Sequence, residues 1–259
     1  MDLGSRRFVR CANCGLRVLN PAPGPQELAN EYDAGYAPFA LAARSPDLAT
    51  RFRRAWYTAR RERWLSGLEF SSALDVGCGT GEFLLKLRRR GVDVRGLEPA
   101  AYAAQFAASS GLDVFQGGVS DYRPRRTFDL ITLWNVVEHL PDPKGDLARL
   151  RELLAPAGTM VILTPDAGSH QARAFGRDWA GLEVPKHLVL LDRGSLRALA
   201  AKARLVEARV RRARIDHVYM GLASWAAAVR RRGWRKAIRL VPATFTGDDS
   251  MLVAWLRRE

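Results

Sequence analysis

The segment Leu74-Asp75-Val76-Gly77-Cys78-Gly79-Thr80-Gly81-Glu82 sets three alternating glycines directly after a short apolar run. Glycine lets a backbone turn tightly and approach a ligand closely. A helix opening on such a loop offers unpaired N–H groups and a positive dipole end to a polar or anionic group. Glu98 follows Gly79 by nineteen residues. At the end of the next strand, its carboxylate can accept both ribose hydroxyls of an adenosine. A dinucleotide pyrophosphate would want a third glycine at position 82, where Glu82 would repel it. That argues against an NAD-dependent oxidoreductase. Two imidazoles farther on, His139 and His187, titrate ordinarily near neutral pH and suit proton abstraction from an acceptor. No Ser-His-Asp or cysteine-nucleophile arrangement is present, and Cys78 reads as packing inside the loop.

These residues need a frame that brings strand ends together. Residues 73–76, 92–97, 113–116, 128–134 and 159–163 read as strands. Residues 83–87, 100–110, 144–154 and 196–202 read as helices between or after them. Residues 205–210 and 251–256 read as two further strands. The run Phe128 to Trp134 is nearly all apolar, as expected of a strand buried on both faces. Strands alternating with helices of this size imply parallel βαβ units in a doubly wound sheet. Such sheets bind ligands at the carboxyl ends of their strands. Upstream, Leu48, Phe52, Ala55, Trp56 and Ala59 recur at helical spacing, with Arg51, Arg53, Arg54, Arg60 and Arg61 expected elsewhere on the surface.

Asp75-x-Gly77-x-Gly79-x-Gly81 resembles motif I of class I S-adenosylmethionine (SAM) methyltransferases. Phe128-Asp129-Leu130-Ile131 with Asn135-Val136-Val137-Glu138-His139-Leu140-Pro141-Asp142-Pro143 resembles the post-motif segment of the branch carrying a Glu-His pair. Leu154-Ala155-Pro156-Ala157-Gly158 resembles the turn before the fifth strand, and Trp179 to Leu188 the branch's "Trp … Pro-Arg/Lys-His-Leu" segment. The resemblance covers about residues 70–205. It implies a Rossmann-like, mostly parallel seven-stranded sheet with helices on both faces. It further implies SAM as cofactor, held by Asp75, Gly77, Cys78, Gly79, Gly81, Glu98, Pro99, Gly118, Val119 and Asn135. His139 and His187 become the catalytic candidates, and Glu138, Trp179 and Lys186 the acceptor-side residues. No acid directly follows Gly117, so adenine would rest on backbone near Gly118-Val119, with Asp121 the weaker candidate. The acceptor is expected to be a small molecule, a sugar or a lipid-like compound. The alternatives are an RNA methyltransferase, although no Asn-Pro-Pro-Tyr motif is present, or a catalytically silent SAM-binding or membrane-associated scaffold.

The chain has 259 residues, 47% hydrophobic and 26% charged, a globular composition. Three cysteines exclude a disulfide-stapled fold. The N-terminus lacks the apolar core of a signal peptide and no run reaches a membrane span, so a cytoplasmic location is expected, with peripheral membrane attachment open. Net charge is +14. Of 41 basic residues only Lys86, Lys144, Lys186, Lys202 and Lys236 are lysine, a bias that arginine-rich coding alone can produce. The segment 193–259 holds 16 basic and 5 acidic residues, flanking the apolar stretch Val218 to Val229. That mixture suits an anionic membrane surface, phosphate contacts to RNA, or a solvated cap. Cys11-Ala12-Asn13-Cys14 has zinc-knuckle spacing but supplies two of four ligands, so no metal is assigned. With Leu16 to Pro21 and Tyr32 to Tyr36 it resembles the second half of an N-terminal zinc ribbon. The expected organisation is an N-terminal segment (1–47), a cofactor domain (48–205) and a basic cap with the last strand (206–259).

Overall fold

The computed structural model describes residues 5–31, 48–213, 217–245 and 250–259. The Tyr32 to Tyr36 segment lies outside the described residues. The chain opens on a hairpin, β1 (Arg7–Arg10) and β2 (Arg17–Asn20), then α1 (Pro25–Asn30) and α2 (Leu48–Trp64). An alternation follows: β3 (Ser72–Val76), α3 (Glu82–Arg88), β4 (Asp93–Glu98), α4 (Ala101–Ser109), β5 (Val114–Gln116) and β6 (Phe128–Trp134). Beyond it come α5 (Pro143–Leu153), β7 (Leu154–Pro165), α6 (His170–Phe175), β8 (Val189–Leu190), α7 (Arg193–Lys202) and β9 (Leu205–Ala213). The last elements are α8 (His217–Arg232), α9 (Trp234–Ala237), α10 (Val241–Phe245) and β10 (Met251–Arg258).

Seven strands form one sheet in the order β5-β4-β3-β6-β7-β10-β9, and β1-β2-β8 form a second. β3 runs parallel to both β4 and β6, and β4 parallel to β5. The chain winds outward from β3 to β5 and returns to the other side of β3 at β6. The strand order therefore reverses at β3, the place where such sheets open a ligand crevice. This is the mostly parallel, seven-stranded Rossmann-like architecture expected from the sequence.

By contacts the chain divides into two compact units. One comprises Gly24–Trp134, Asp146–Val161 and Arg257–Glu259; the other comprises Met1–Pro23, Asn135–Gly145 and Ile162–Leu256. In the first, every residue of β3 is buried, as is every residue of β6 except Asp129. Asp129 turns outward, and its Oδ2 accepts from the backbone and hydroxyls of Ser71 and Ser72 at 2.8–3.0 Å, pinning the start of β3. Phe83 of α3 meets Trp134 edge-on at 5.4 Å, and Trp64 stacks on the same indole at 5.9 Å. In the second unit Asp192 caps α7, with Ser195 reciprocating.

The structure corrects several expectations. Leu154 to Gly158 is not a turn but the extended start of β7. The hairpin β1–β2 was not foreseen. Trp56 and Ala59, expected on an apolar stripe, are exposed, Trp56 lying under the Arg60 guanidinium. Arg61, expected at the surface, is drawn in beside Asp75 and Glu82 with its guanidinium over Trp134 at 5.6 Å.

Gly81 has φ +82°, and a Cβ there would lie 2.3 Å from Leu112 Cδ1. Gly81→Ala should therefore cost about 2–4 kcal/mol through backbone strain and overpacking together. Chemical denaturation should report it as a lower midpoint with unchanged slope.

Candidate active site

The glycine loop joins β3 to α3. The Gly77 and Cys78 N–H groups both donate to Leu97 O, at 2.7 and 3.1 Å, which folds the loop across the end of β4. Gly79 has φ +55°, and among the described residues nothing lies within 4 Å of where a side chain would stand. Glu98 is buried; its Oε2 accepts the Gly79 N–H at 2.8 Å and its Oε1 the Ala100 N–H at 2.9 Å. One carboxylate thus holds both the loop and the turn into α4. Each oxygen has a further lone pair with which to accept a hydroxyl. Pro99 beside it is exposed. In the next loop Val119 is buried, while Asp121 turns back to accept the Gly118 N–H at 3.3 Å, closing the turn.

Asp75 is buried at the end of β3, and Thr132 of β6 donates to its Oδ1 at 2.5 Å. Burial raises its pKa to about 7, against the opposing pull of Thr132 and Arg61. Such a carboxyl gains from a nearby cation, which favours its ionised form. Cys78 packs against Gly96, and burial beside Asp75 and Glu98 pushes its thiol far up, so it is inert as a nucleophile.

The second unit holds a separate cluster. Asn135 follows β6 with φ +56°; its N–H donates to Leu163 O at 2.8 Å, and its buried Oδ1 has no hydrogen-bond partner among the described residues. Glu138 and His139 lie on the 3-10 turn Val137–His139. The backbone anchors that turn: Leu188 N–H donates to Glu138 O, and Leu19 N–H of β2 donates to Leu188 O, each at 2.8 Å. The small sheet β1-β2-β8 therefore positions the histidine turn.

Glu138 is 1% exposed, and burial lifts its pKa to about 8. Thr164 donates to its Oε2 at 2.9 Å, while Oε1 is buried with no hydrogen-bond partner among the described residues. His139 Nδ1 lies 3.0 Å from Lys186 O, which puts the ring proton on Nδ1 and the lone pair on Nε2. His187 Nδ1 donates likewise to Gly181 O at 2.8 Å. The two rings meet edge-to-face at 4.7 Å. Burial, reinforced by His187, lowers the His139 pKa to about 3, so it remains a neutral imidazole at physiological pH rather than titrating near 7. Burial also lowers His187, although Glu183 pulls it up.

Trp179 is buried against Gly181, its Nε1 without a hydrogen-bond partner among the described residues. Lys186 pairs with Glu183 at 2.7 Å, and Glu183 also faces His187 Nε2 at 3.4 Å.

The first unit thus collects Asp75, Gly77, Cys78, Gly79, Gly81, Glu98, Pro99, Gly118 and Val119. The second collects Asn135, Glu138, His139, Trp179, Lys186 and His187. Sequence reasoning missed Arg61, Thr132, Thr164 and Glu183. Glu183 was the most findable, a carboxylate three residues before a lysine and four before a histidine.

Comparison with known proteins agrees with the geometry. A family profile described as "Methyltransferase domain" matches residues 33–206. A ubiquinone biosynthesis O-methyltransferase of Rhodopseudomonas palustris (strain TIE-1) is 34% identical over 111 residues, covering 40% of this chain and 44% of the relative. The match spans less than half of that relative's length. Among solved structures, the magnesium protoporphyrin IX methyltransferase of Synechocystis PCC 6803, with bound SAH, superposes with TM-score 0.57 at 11% identity, over 88% of this chain and 96% of its own. A 4+2 cyclase superposes with TM-score 0.60 at 16% identity, over 92% and 98%. At these identities the likeness concerns the fold, which hosts more than one chemistry.

The raised Glu138 pKa has a thermodynamic sign. Between an unfolded value of about 4.3 and the folded value of about 8, the native state keeps a proton that the unfolded state has released. Stability from this group is present below that window and is lost as pH rises through it, by up to about 1.4 kcal/mol per pH unit. Glu138→Gln carries no such proton. Urea unfolding from about pH 5 to 8 should show the variant gaining on the wild type as pH rises; a constant difference would contradict the raised pKa.

Proposed function

Since this chain belongs to the methyltransferase-domain family matched over residues 33–206, we propose that it is a SAM-dependent enzyme that methylates a small, hydroxyl-bearing acceptor, a sugar or lipid-like compound included. The observation that carries this reading is the buried Glu98 carboxylate, hydrogen-bonded to the glycine loop at 2.8 Å with lone pairs left over. The residues fit the cofactor. Among the described residues nothing crowds Gly79. Asp75, held near neutrality by burial, would be stabilised as a carboxylate by the cofactor's positive charge. Backbone beside Gly118 and the buried Val119 side chain would border the adenine. When bound, SAM supplies an activated methyl group on a sulfonium.

The protein's contribution is then mainly to position the acceptor and exclude water. His139 presents the Nε2 lone pair of a neutral imidazole. With so low a pKa it is too weak a base to ionise an alcohol beforehand. It takes the proton as the new oxygen–carbon bond forms and the hydroxyl becomes acidic. Glu138, protonated below about pH 8, orients through Thr164 rather than acting as base. Trp179 walls the acceptor side, and Lys186 supplies a positive charge. The O-methylating relative named above favours a hydroxyl acceptor.

A second proposal concerns partners. Val218, Tyr219, Leu222, Trp234, Ile238 and Phe245 are exposed on residues 217–245, interleaved with Arg230, Arg235, Lys236 and Arg239. Apolar and aromatic tips amid arginines suit peripheral docking on anionic lipid, which would give this part a role separate from the cofactor region. Among the described residues no helix is long and apolar enough to cross a membrane.

Calorimetry should show SAM and its demethylated product binding the folded protein; no heat with either would sink the assignment. Glu98→Ala should weaken SAM by about 10–100-fold, the worth of hydrogen bonds to a charged acceptor. His139→Ala should lower kcat with little change in SAM affinity. Vesicles containing anionic lipid should pull the chain down in sedimentation, and neutral vesicles should not; equal recovery with both would contradict the membrane role.

A further inference from the structure

The proposed reaction so far gives no task to His187 or to Glu183. The His187 Nδ1 proton goes to Gly181 O at 2.8 Å, which leaves Nε2 as the ring atom able to take up a second proton. That nitrogen faces Glu183 Oε2 at 3.4 Å, and the other oxygen of the same carboxylate holds Lys186 Nζ at 2.7 Å. The same ring meets His139 edge-to-face at 4.7 Å. A ring nitrogen of each histidine lies within 4.8 Å of the other's, a gap that one water molecule spans. Exposure rises along this line: the His187 side chain is 4% exposed and the Glu183 side chain 44%. Glu183 therefore meets solvent while facing a buried imidazole. Its backbone is left-handed at φ +31°, and its carbonyl accepts the His187 N–H at 3.1 Å, which closes the segment so that carboxylate and ring meet.

Methylation of a hydroxyl releases one proton, and His139 is a poor place to leave it. Desolvation and the neighbouring imidazole both disfavour a charge on that ring. At His187 desolvation also disfavours a charge, but the Glu183 carboxylate opposes it directly. Of the other titratable groups around His187 among the described residues, Lys186 disfavours a charge, while His139 and Glu138 of the 3-10 turn are neutral near pH 7. We propose that the reaction's proton leaves His139 for solvent through His187 and Glu183. The inference rests on the proposed methylation of a hydroxyl. One proton moves and nothing is oxidised or reduced. As the oxygen–methyl bond forms, the O–H bond breaks and His139 gains an N–H. That N–H breaks as His187 Nε2 gains one, and the Glu183 carboxylate accepts this N–H and passes the proton to water. Both imidazoles end neutral, ready for the next acceptor. Glu183 acts through His187 and is a positioning residue.

The test begins without an acceptor. The full chain, labelled with ¹⁵N in its histidine rings, is titrated by NMR from about pH 8 to about pH 5, a window around the ordinary imidazole pKa. Single His→Gln variants assign the ring signals. In the wild type, His187 Nε2 should pass from lone pair to N–H while His139 keeps its lone pair. Glu183→Gln should lower the His187 midpoint by about one pH unit or more, since an opposite charge has been removed. Lys186→Met removes a like charge and should raise it, so the result does not rest on one variant. His139 protonating before His187 would overturn the proposal, as would a His187 that stays unprotonated throughout or a midpoint that Glu183→Gln leaves unmoved. Turnover then reads the route itself, with phenol as the hydroxyl probe. Glu183→Gln should lower kcat more than it raises KM, and added imidazole, a mobile proton carrier, should restore the lost rate. A loss that imidazole does not restore would count against the route. SAM binding and phenol methylation by the wild type report on the proposed function separately, because the titration needs neither.

Discussion

The carboxylate of Glu98 is the interaction on which the cofactor region depends. It sits at the end of β4, buried, and accepts one N–H from the glycine loop and another from the turn into α4. Those N–H groups face an acceptor-only side chain rather than solvent, so the loop keeps its shape without a ligand. Burial lifts the Glu98 pKa, and the two backbone hydrogen bonds pull it back down. Both oxygens are thereby held in place by the main chain. Asp75 and Thr132 repeat the arrangement one strand over, with a side-chain hydroxyl as the donor.

The second unit solves a related problem with imidazoles. A half-buried and a buried histidine at 4.7 Å would repel if both were charged, and desolvation keeps His139 neutral. Each ring gives its Nδ1 proton to a main-chain carbonyl, so the tautomer is set by backbone rather than by a mobile side chain. Glu183 faces His187 and Lys186 from a residue at φ +31°. That left-handed backbone is strained for glutamate, and strain of this kind gathers where side-chain direction matters.

Much of the frame was legible because its signals are local. Phe128 to Trp134 reads as a doubly covered strand from composition alone, and the alternating glycines announce a turn whatever surrounds them. The strands of residues 73 to 134 follow from that pattern to within a residue or so. What escaped depends on partners distant in sequence. β1 and β2 each bury one residue of four, so no alternation is visible, and their pairing becomes clear only beside β8. Arg61 counts as a surface residue in a helical pattern, yet Asp75 and Glu82, more than a dozen residues on, draw it inward. The Leu154 to Gly158 segment holds a proline and a glycine and looks like a turn, but it runs extended as the start of β7. His139 was legible as an imidazole at the right place; its low pKa was not, because burial cannot be read from a tripeptide.

The arginines of the C-terminal third are in part already committed. Arg231 and Arg232 both pair with the buried Asp178, the latter at 2.5 Å, and Arg212 pairs with the fully buried Asp166 at 2.9 Å. These carboxylates belong to the segment that carries Trp179 and His187, while their counterions come from β9 and α8. Removing the counterions would leave buried negative charge uncompensated. The C-terminal segment is therefore not an interchangeable module. A chimera that grafts another protein's tail after residue 205 inherits two anions that its new tail was never selected to neutralise, so exchange of this region between relatives has to move Asp166 and Asp178 together with their arginines.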